Sequence, residues 1–146
     1  MTTEAVSGPI LLVEDNTVDL DLALRAFARR DRTSSPIAIE VARDGEEALA
    51  FLPRWESGHP TPAVILLDNK LPRVSGLDVL RKLKTHERFR RIPVVMLSSS
   101  TEDEDVRTAY DVGVNSYIVK PIDFGKFIEV AEQIEVYWCA LNHSQR

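Results

Sequence analysis

Five residues in this chain have types and positions that could do chemistry together: Glu14, Asp15, Asp68, Ser98 and Lys120. Each stands at or just beyond the end of a short apolar run. Three carboxylates brought close together repel one another, so leaving them unpaired is costly. A hard divalent cation removes that cost. Magnesium takes oxygen ligands in an octahedron, keeps several waters, and typically combines one or two carboxylates with a phosphate oxygen. A site of this kind therefore calls for a phosphoryl group. Lys120 would neutralise one phosphoryl oxygen and the Ser98 hydroxyl would donate to another. A carboxylate such as Asp68 can itself be the nucleophile and form an acyl phosphate. Most of the catalysis in such a reaction is positioning and charge stabilisation.

Each residue alone has a plainer account. Glu14-Asp15 suits the acidic start of a helix. Asp68 before Asn-Lys-Leu-Pro suits a turn, Ser98 a turn or cap, and Lys120-Pro121 a loop. Their joint occurrence at successive strand ends favours the shared site.

The elements that must position them alternate. Short Ile/Val/Leu-rich runs lie at residues 9–13, 37–42, 63–67, 92–97 and 116–119. Three of these, Ile10-Leu11-Leu12-Val13, Val64-Ile65-Leu66-Leu67 and Val94-Val95-Met96-Leu97, are continuously apolar. Strands buried on both faces read this way, which means a parallel sheet covered by helices. Residues 37–42 alternate in part and read as an edge strand. Helical patterns occupy residues 17–30, 44–52, 76–86, 101–111 and 123–142. Asp44 and Glu47 have the spacing of a capping box, and Thr101 precedes an acidic first turn. Five strand–helix units in a row predict an α/β fold with right-handed crossovers. In such a sheet the functional crevice lies beyond the carboxyl ends of the strands.

From about Ile10 to Ile134 the chain resembles the receiver domain of a two-component response regulator. The resemblance rests on Leu11-Leu12-Val13-Glu14-Asp15-Asn16, Leu67-Asp68-Asn69-Lys70-Leu71-Pro72, Ser75-Gly76, Pro93-Val94-Val95-Met96-Leu97-Ser98 and the run from Gly113 to Pro121. Singly these motifs are weak; five in this order and spacing are specific. The resemblance implies a doubly wound, flavodoxin-like, five-stranded parallel sheet of order 2-1-3-4-5. It implies that Asp68 accepts a phosphoryl group from a phosphohistidine on a sensor histidine kinase. Mg2+ would be held by Asp15, by Glu14 directly or through water, by Asp68 and by the backbone carbonyl of Lys70. Ser98 would hydrogen-bond the phosphoryl group and Lys120 would pair with it. Tyr117 would be the aromatic switch that turns inward. Pro121 would follow a cis peptide bond.

Three positions depart from the family pattern. Asn69 replaces the usual apolar residue. Lys70 places a long cation beside the pocket, with Glu14 or a phosphoryl group as its expected partner. Ser99 replaces a small residue. No required group is lost. Residues 1–146 read as a single receiver domain, with a core at about 9–142 and no output domain. Stand-alone receivers of this kind resemble regulators that serve bacterial phytochromes. The longer segment 53–62 and Tyr137-Trp138 support that comparison, with Trp55 expected as a loop anchor.

The last helical pattern aligns Phe127, Ala131, Ile134, Trp138 and Leu141 in one stripe, widened by Phe124 and Ile128 on one side and by Val130 and Tyr137 on the other. The stripe either packs on the sheet and a neighbouring helix or meets a partner, and a homodimer through this helix is expected.

Composition narrows the classes further. The chain has 146 residues, 44% of them hydrophobic and 28% charged, which suits one globular domain. A net charge of −5 argues against an electrostatic nucleic-acid binder. The basic stretch around Arg81-Lys82-Leu83-Lys84, with Arg88, Arg90 and Arg91, is expected to be a solvated face. Cys139 has no second cysteine to pair with. Without a signal-peptide pattern or a membrane-length apolar run, a cytoplasmic location is expected. A small phosphatase with an aspartyl-phosphate intermediate is the main alternative. Such enzymes carry a second Asp two residues beyond the first, and here Lys70 stands in that place. The turn from Asp15 to Asp19 offers no glycine-rich cradle for a flavin phosphate. The expected protein is a switch that catalyses only its own phosphorylation and dephosphorylation.

Overall fold

The structure is a computed structural model that describes residues 8–28 and 37–142. Its strands are β1 (Ile10–Val13), β2 (Ile39–Ala42), β3 (Val64–Leu67), β4 (Val94–Ser98) and β5 (Ser116–Val119). All pair in parallel in one sheet of order β2-β1-β3-β4-β5, as expected. The helices are α1 (Thr17–Ala28), α2 (Gly45–Leu49), α3 (Phe51–Glu56), α4 (Gly76–Lys84), α5 (Asp103–Val112) and α6 (Phe124–Ile134). The last continues into wider π-helical turns over Glu135–Leu141.

Side chains alternate across a strand, and both faces of this sheet are covered. Leu11, Val13, Ile65, Leu67, Val94 and Met96 point to the side packed by α2 to α5. Ile10, Leu12, Val64, Leu66, Val95 and Leu97 point to the side packed by α1 and α6. That double burial explains why the three central strands are apolar without interruption. The two edge strands, β2 and β5, are only partly buried.

Register sets the heights of the strand ends. Val13 pairs with Leu67, so Glu14 and Asp68 leave neighbouring strands side by side. Ser98 pairs with Val119, which puts Lys120 just beyond the end of β4.

Several expectations need correction. The segment after residue 53 begins inside α3. Pro53 is tolerated there because it lies in the first turn, where a backbone N–H has no intrahelical acceptor. Trp55 belongs to the core, 2% exposed, with its ring 5.9 Å from Phe51 and 5.3 Å from Phe89. Helix α5 starts at Asp103 with Glu102 at its cap, so Thr101 lies outside it. No cis peptide bond occurs among the described residues, so the bond before Pro121 is trans, the form favoured by about 0.5–1 kcal/mol. Lys84 is not on a solvated face. Its ammonium donates to the carbonyls of Arg90 and Ile92 and to Asn115 Oδ1, at 3.0–3.1 Å. Burial lowers its pKa to about 8.

Phe127, Ala131 and Ile134 of the α6 stripe are buried with α1 residues such as Leu20, Ala23 and Phe27. Val130 and Trp138 pack partly against the same cluster. Arg29 and Arg30 and the side chain of Leu141 lie outside the described set.

Candidate functional site

Glu14, Asp15 and Asp68 come together at the carboxyl edge of the sheet. One oxygen of each lies within 4.8 Å of the others. Glu14 is 4% exposed and Asp68 7%, whereas Asp15 faces solvent. Asp68 is held at the base by its N–H, which donates to the Val13 carbonyl at 3.1 Å. Its Oδ1 accepts weakly from the Lys70 N–H at 3.3 Å. The loop beyond it is short and tied down: the Asn69 carbonyl accepts from the N–H groups of Leu71 and Gly76. Ser75 then caps α4 in a capping box with Asp78. Arg73 adopts a left-handed φ of 61°, and its guanidinium bridges Asp44 at 3.0 Å and Glu46 at 2.9 Å. This pins the loop to the start of α2.

Lys120 supplies the cation. Its Nζ is 2.8 Å from Glu14 Oε1, 2.8 Å from Asp19 Oδ2 and 3.5 Å from Asp68 Oδ2. Burial opposes its charge, but the hydrogen bonds to Asp19 and Glu14 and the field of Asp68 outweigh burial and raise its pKa above the ordinary lysine range. Glu14 is pushed up to about 7, first by burial and then by the Asp68 charge, against the lowering effect of Lys120. One ammonium shared among three carboxylates does not neutralise them.

The structure therefore brings together the side chains of Glu14, Asp15, Asp68 and Lys120, and Ser98 joins them through its backbone. Ser98 ends β4 and is buried. Its Oγ accepts from the Ser100 N–H at 3.2 Å. The Lys120 N–H donates to the Ser98 carbonyl at 2.8 Å, which locks the two strand ends together. Tyr117 points inward and is half-buried, its hydroxyl donating to the Ser100 carbonyl at 3.0 Å. Lys70 is exposed, and Glu14 takes Lys120 as its cation instead. Asp19 and Ser100 were missed. Asp19 lies in the first turn of α1, where an acidic residue is ordinary, so its spacing gave no signal of a partner on β5. Ser100 Oγ donates to Asp105 Oδ2 at 2.5 Å and accepts from the Glu102 N–H at 3.3 Å, so it ties the loop after β4 to the first turn of α5.

The donor set suits a hard divalent cation: carboxylate oxygens only, two of them buried, and a Glu14 pKa raised in part by Asp68. Glu14, Asp15 and Asp68 would hold it. Bound there, the ion would supply charge neutralisation for an incoming anionic group.

The sheet order and the acidic site at its carboxyl edge define a flavodoxin-like α/β protein. Residues 10–132 match the response regulator receiver domain, and the chain belongs to that family, whose members are generally signalling proteins phosphorylated by histidine kinases. It is 46% identical over 136 residues to the probable methanogenesis regulatory protein FilR2 of Methanothrix harundinacea, covering 92% of this chain and 86% of that one. Response regulator Rcp1 of Synechocystis is 35% identical over 133 residues, covering 88% of this chain and 87% of Rcp1. The Mn2+-bound structure of Rcp1 superposes with a TM-score of 0.79, at 33% identity and covering 95% and 99% of the two chains. The phosphorylated cyanobacterial phytochrome response regulator RcpA gives a TM-score of 0.86 at 34% identity, covering 97% of this chain and all of that one. No helix among the described residues is long and apolar enough to cross a membrane.

Proposed function

We propose that this chain is a single-domain, cytoplasmic response regulator whose Asp68 accepts a phosphoryl group from the phosphohistidine of a sensor kinase, in a Mg2+-dependent reaction. The observation that carries the reading is the meeting of Lys120 with both Glu14 and Asp68 inside the acidic cluster. One Asp68 oxygen attacks phosphorus, the phosphorus–nitrogen bond to the kinase histidine breaks, and the imidazole leaves with the bonding pair. Asp15, Asp68, the Lys70 carbonyl and Glu14, directly or through water, would hold the Mg2+ ion. Lys120 balances the added charge, and Ser98 donates to the phosphoryl group.

Ser98 and Tyr117 carry the signal outward. Both contact Ser100, so a pull on Ser98 reaches the loop on which the Tyr117 hydroxyl rests. The chain turns over no small substrate and binds no nucleic acid. The likeness to the phytochrome response regulator RcpA supports a phytochrome of bacterial type as its kinase.

Signalling proceeds by conformational change or altered association, with a homodimer through the last helix. Tyr137 and Val136 support this assignment, since each is 52% exposed although apolar or aromatic. Sedimentation at tens of micromolar tests it: a dimer is expected, and a monomer with and without a phosphoryl mimic overturns it.

The phosphoacceptor itself is tested with Mg2+ and beryllium fluoride, an acyl-phosphate mimic. Saturable binding is expected, and Asp68→Asn abolishes it. Equal binding by the variant would show that another residue takes the group.

A further inference from the structure

Three carboxylates share the Lys120 ammonium, and they are not equivalent. Glu14 and Asp68 belong with Asp15 to the cluster suited to a cation. Asp19 does not; among the described residues it is the one carboxylate that meets Lys120 from outside that cluster. It comes from the first turn of α1, where the Asn16 side chain accepts from the Val18 and Asp19 N–H groups at 2.9 and 3.0 Å. That cap fixes where the Asp19 carboxylate stands. It reaches Lys120 Nζ at 2.8 Å, while Asp68 Oδ2 lies at 3.5 Å, the far end of hydrogen-bonding range.

The pair is partly buried rather than a surface bridge, with side chains 13% and 37% exposed, so its geometry is held in place. Its consequence is positional. An ammonium in full contact with Asp68 would compete for the lone pairs that must attack phosphorus. After transfer, the same ammonium is needed by the phosphoryl oxygens.

Resting on the reading of Asp68 as phosphoacceptor, we infer that Asp19 is a positioning residue that holds the Lys120 ammonium on the α1 side of the pocket, away from the acceptor oxygen, and competes with the phosphoryl group for it. Asp19 thereby sets how strongly Lys120 favours the modified state, without touching the reacting atoms.

The test is a beryllium fluoride titration of the full chain with Mg2+, followed by the 19F resonance of the bound mimic. Asp19→Asn is expected to bind about three- to tenfold tighter than the parent, the scale of one charged contact reassigned. Asp21→Asn removes the same charge from the same helix, where it pairs with Arg25 at 3.0 Å. It is expected to shift affinity less than about twofold. Combining Asp19→Asn with Lys120→Gln is expected to erase the gain, since the effect acts through that amine. A readout free of metal and mimic accompanies these: the side-chain 1H–15N resonance of Lys120 moves in Asp19→Asn and stays in place in Asp21→Asn. Parent-like affinity in Asp19→Asn, or a gain that survives without Lys120, overturns the inference while leaving Asp68 as acceptor. Failure of the parent to bind the mimic, or binding by Asp68→Asn, overturns the acceptor reading and this inference with it.

Discussion

A Cβ on Gly76 would stand 2.2 Å from the Asp68 carbonyl oxygen and 2.7 Å from the Asn69 Cα. Both neighbours are backbone atoms of the loop that carries the acceptor, so neither can step aside without moving it. The glycine at the start of α4 is therefore part of how Asp68 is placed. Gly76→Ala is expected to destabilise the fold by about 1–3 kcal/mol in chemical denaturation, the usual cost of overpacking. It is also expected to weaken binding of an acyl-phosphate mimic. Unchanged stability and affinity would show that the loop tolerates the displacement.

Trp55 gives a prediction about the core. The side chain is buried between Phe51 and Phe89, and its Nε1 has no hydrogen-bond partner among the described residues. Trp55→Ala is expected to cost about 3–5 kcal/mol through the cavity it leaves. Trp55→Phe keeps most of the apolar contact and removes the unpaired N–H, so its cost is expected to stay below about 1.5 kcal/mol. Equal losses in the two variants, measured by urea unfolding, would contradict this.

Much of this was legible in the sequence for a physical reason. A strand covered on both faces must be apolar at every position, so the runs at Ile10, Val64 and Val94 mark themselves, and whatever polar residue follows them marks the pocket. Residues whose roles arise only from tertiary contact were not legible. Asp19 reads as an ordinary first-turn acid until β5 delivers Lys120 to it. Lys84 reads as surface charge until the carbonyls of Arg90 and Ile92 close around it. Pro53 suggests a loop because its helix is too short for a periodic pattern.

The raised pKa of Glu14 sets a pH dependence in the metal-free protein. The folded state holds a proton up to about pH 7, while the unfolded chain releases it near 4.5. Between those values the folded state binds more protons, so the Glu14 contribution to stability falls as pH rises. Unfolding free energies of the parent minus those of Glu14→Gln are expected to decline across that window and level off above it. A flat difference, or one that rises, would contradict the burial of this carboxylate.

The hydroxyl of Tyr117 holds the loop after β4 through one hydrogen bond to the Ser100 carbonyl. Tyr117→Phe removes that bond and leaves the ring. Faster amide exchange at Ser100 and Glu102 is expected, with a loss of about 0.5–1.5 kcal/mol in local stability. Exchange at Ala131, buried under α1, is expected to stay as in the parent. Unaltered exchange in the loop would mean that the hydroxyl does not restrain it.

The claim on which the rest depends is that the Asp68 carboxylate takes up phosphorus, and intact mass after incubation with acetyl phosphate and Mg2+ tests it most directly. The expected result is a gain of one phosphoryl group, removed by hydroxylamine and absent from Asp68→Asn. A chain that gains no mass, or an Asp68→Asn variant that gains as much as the parent, would contradict it.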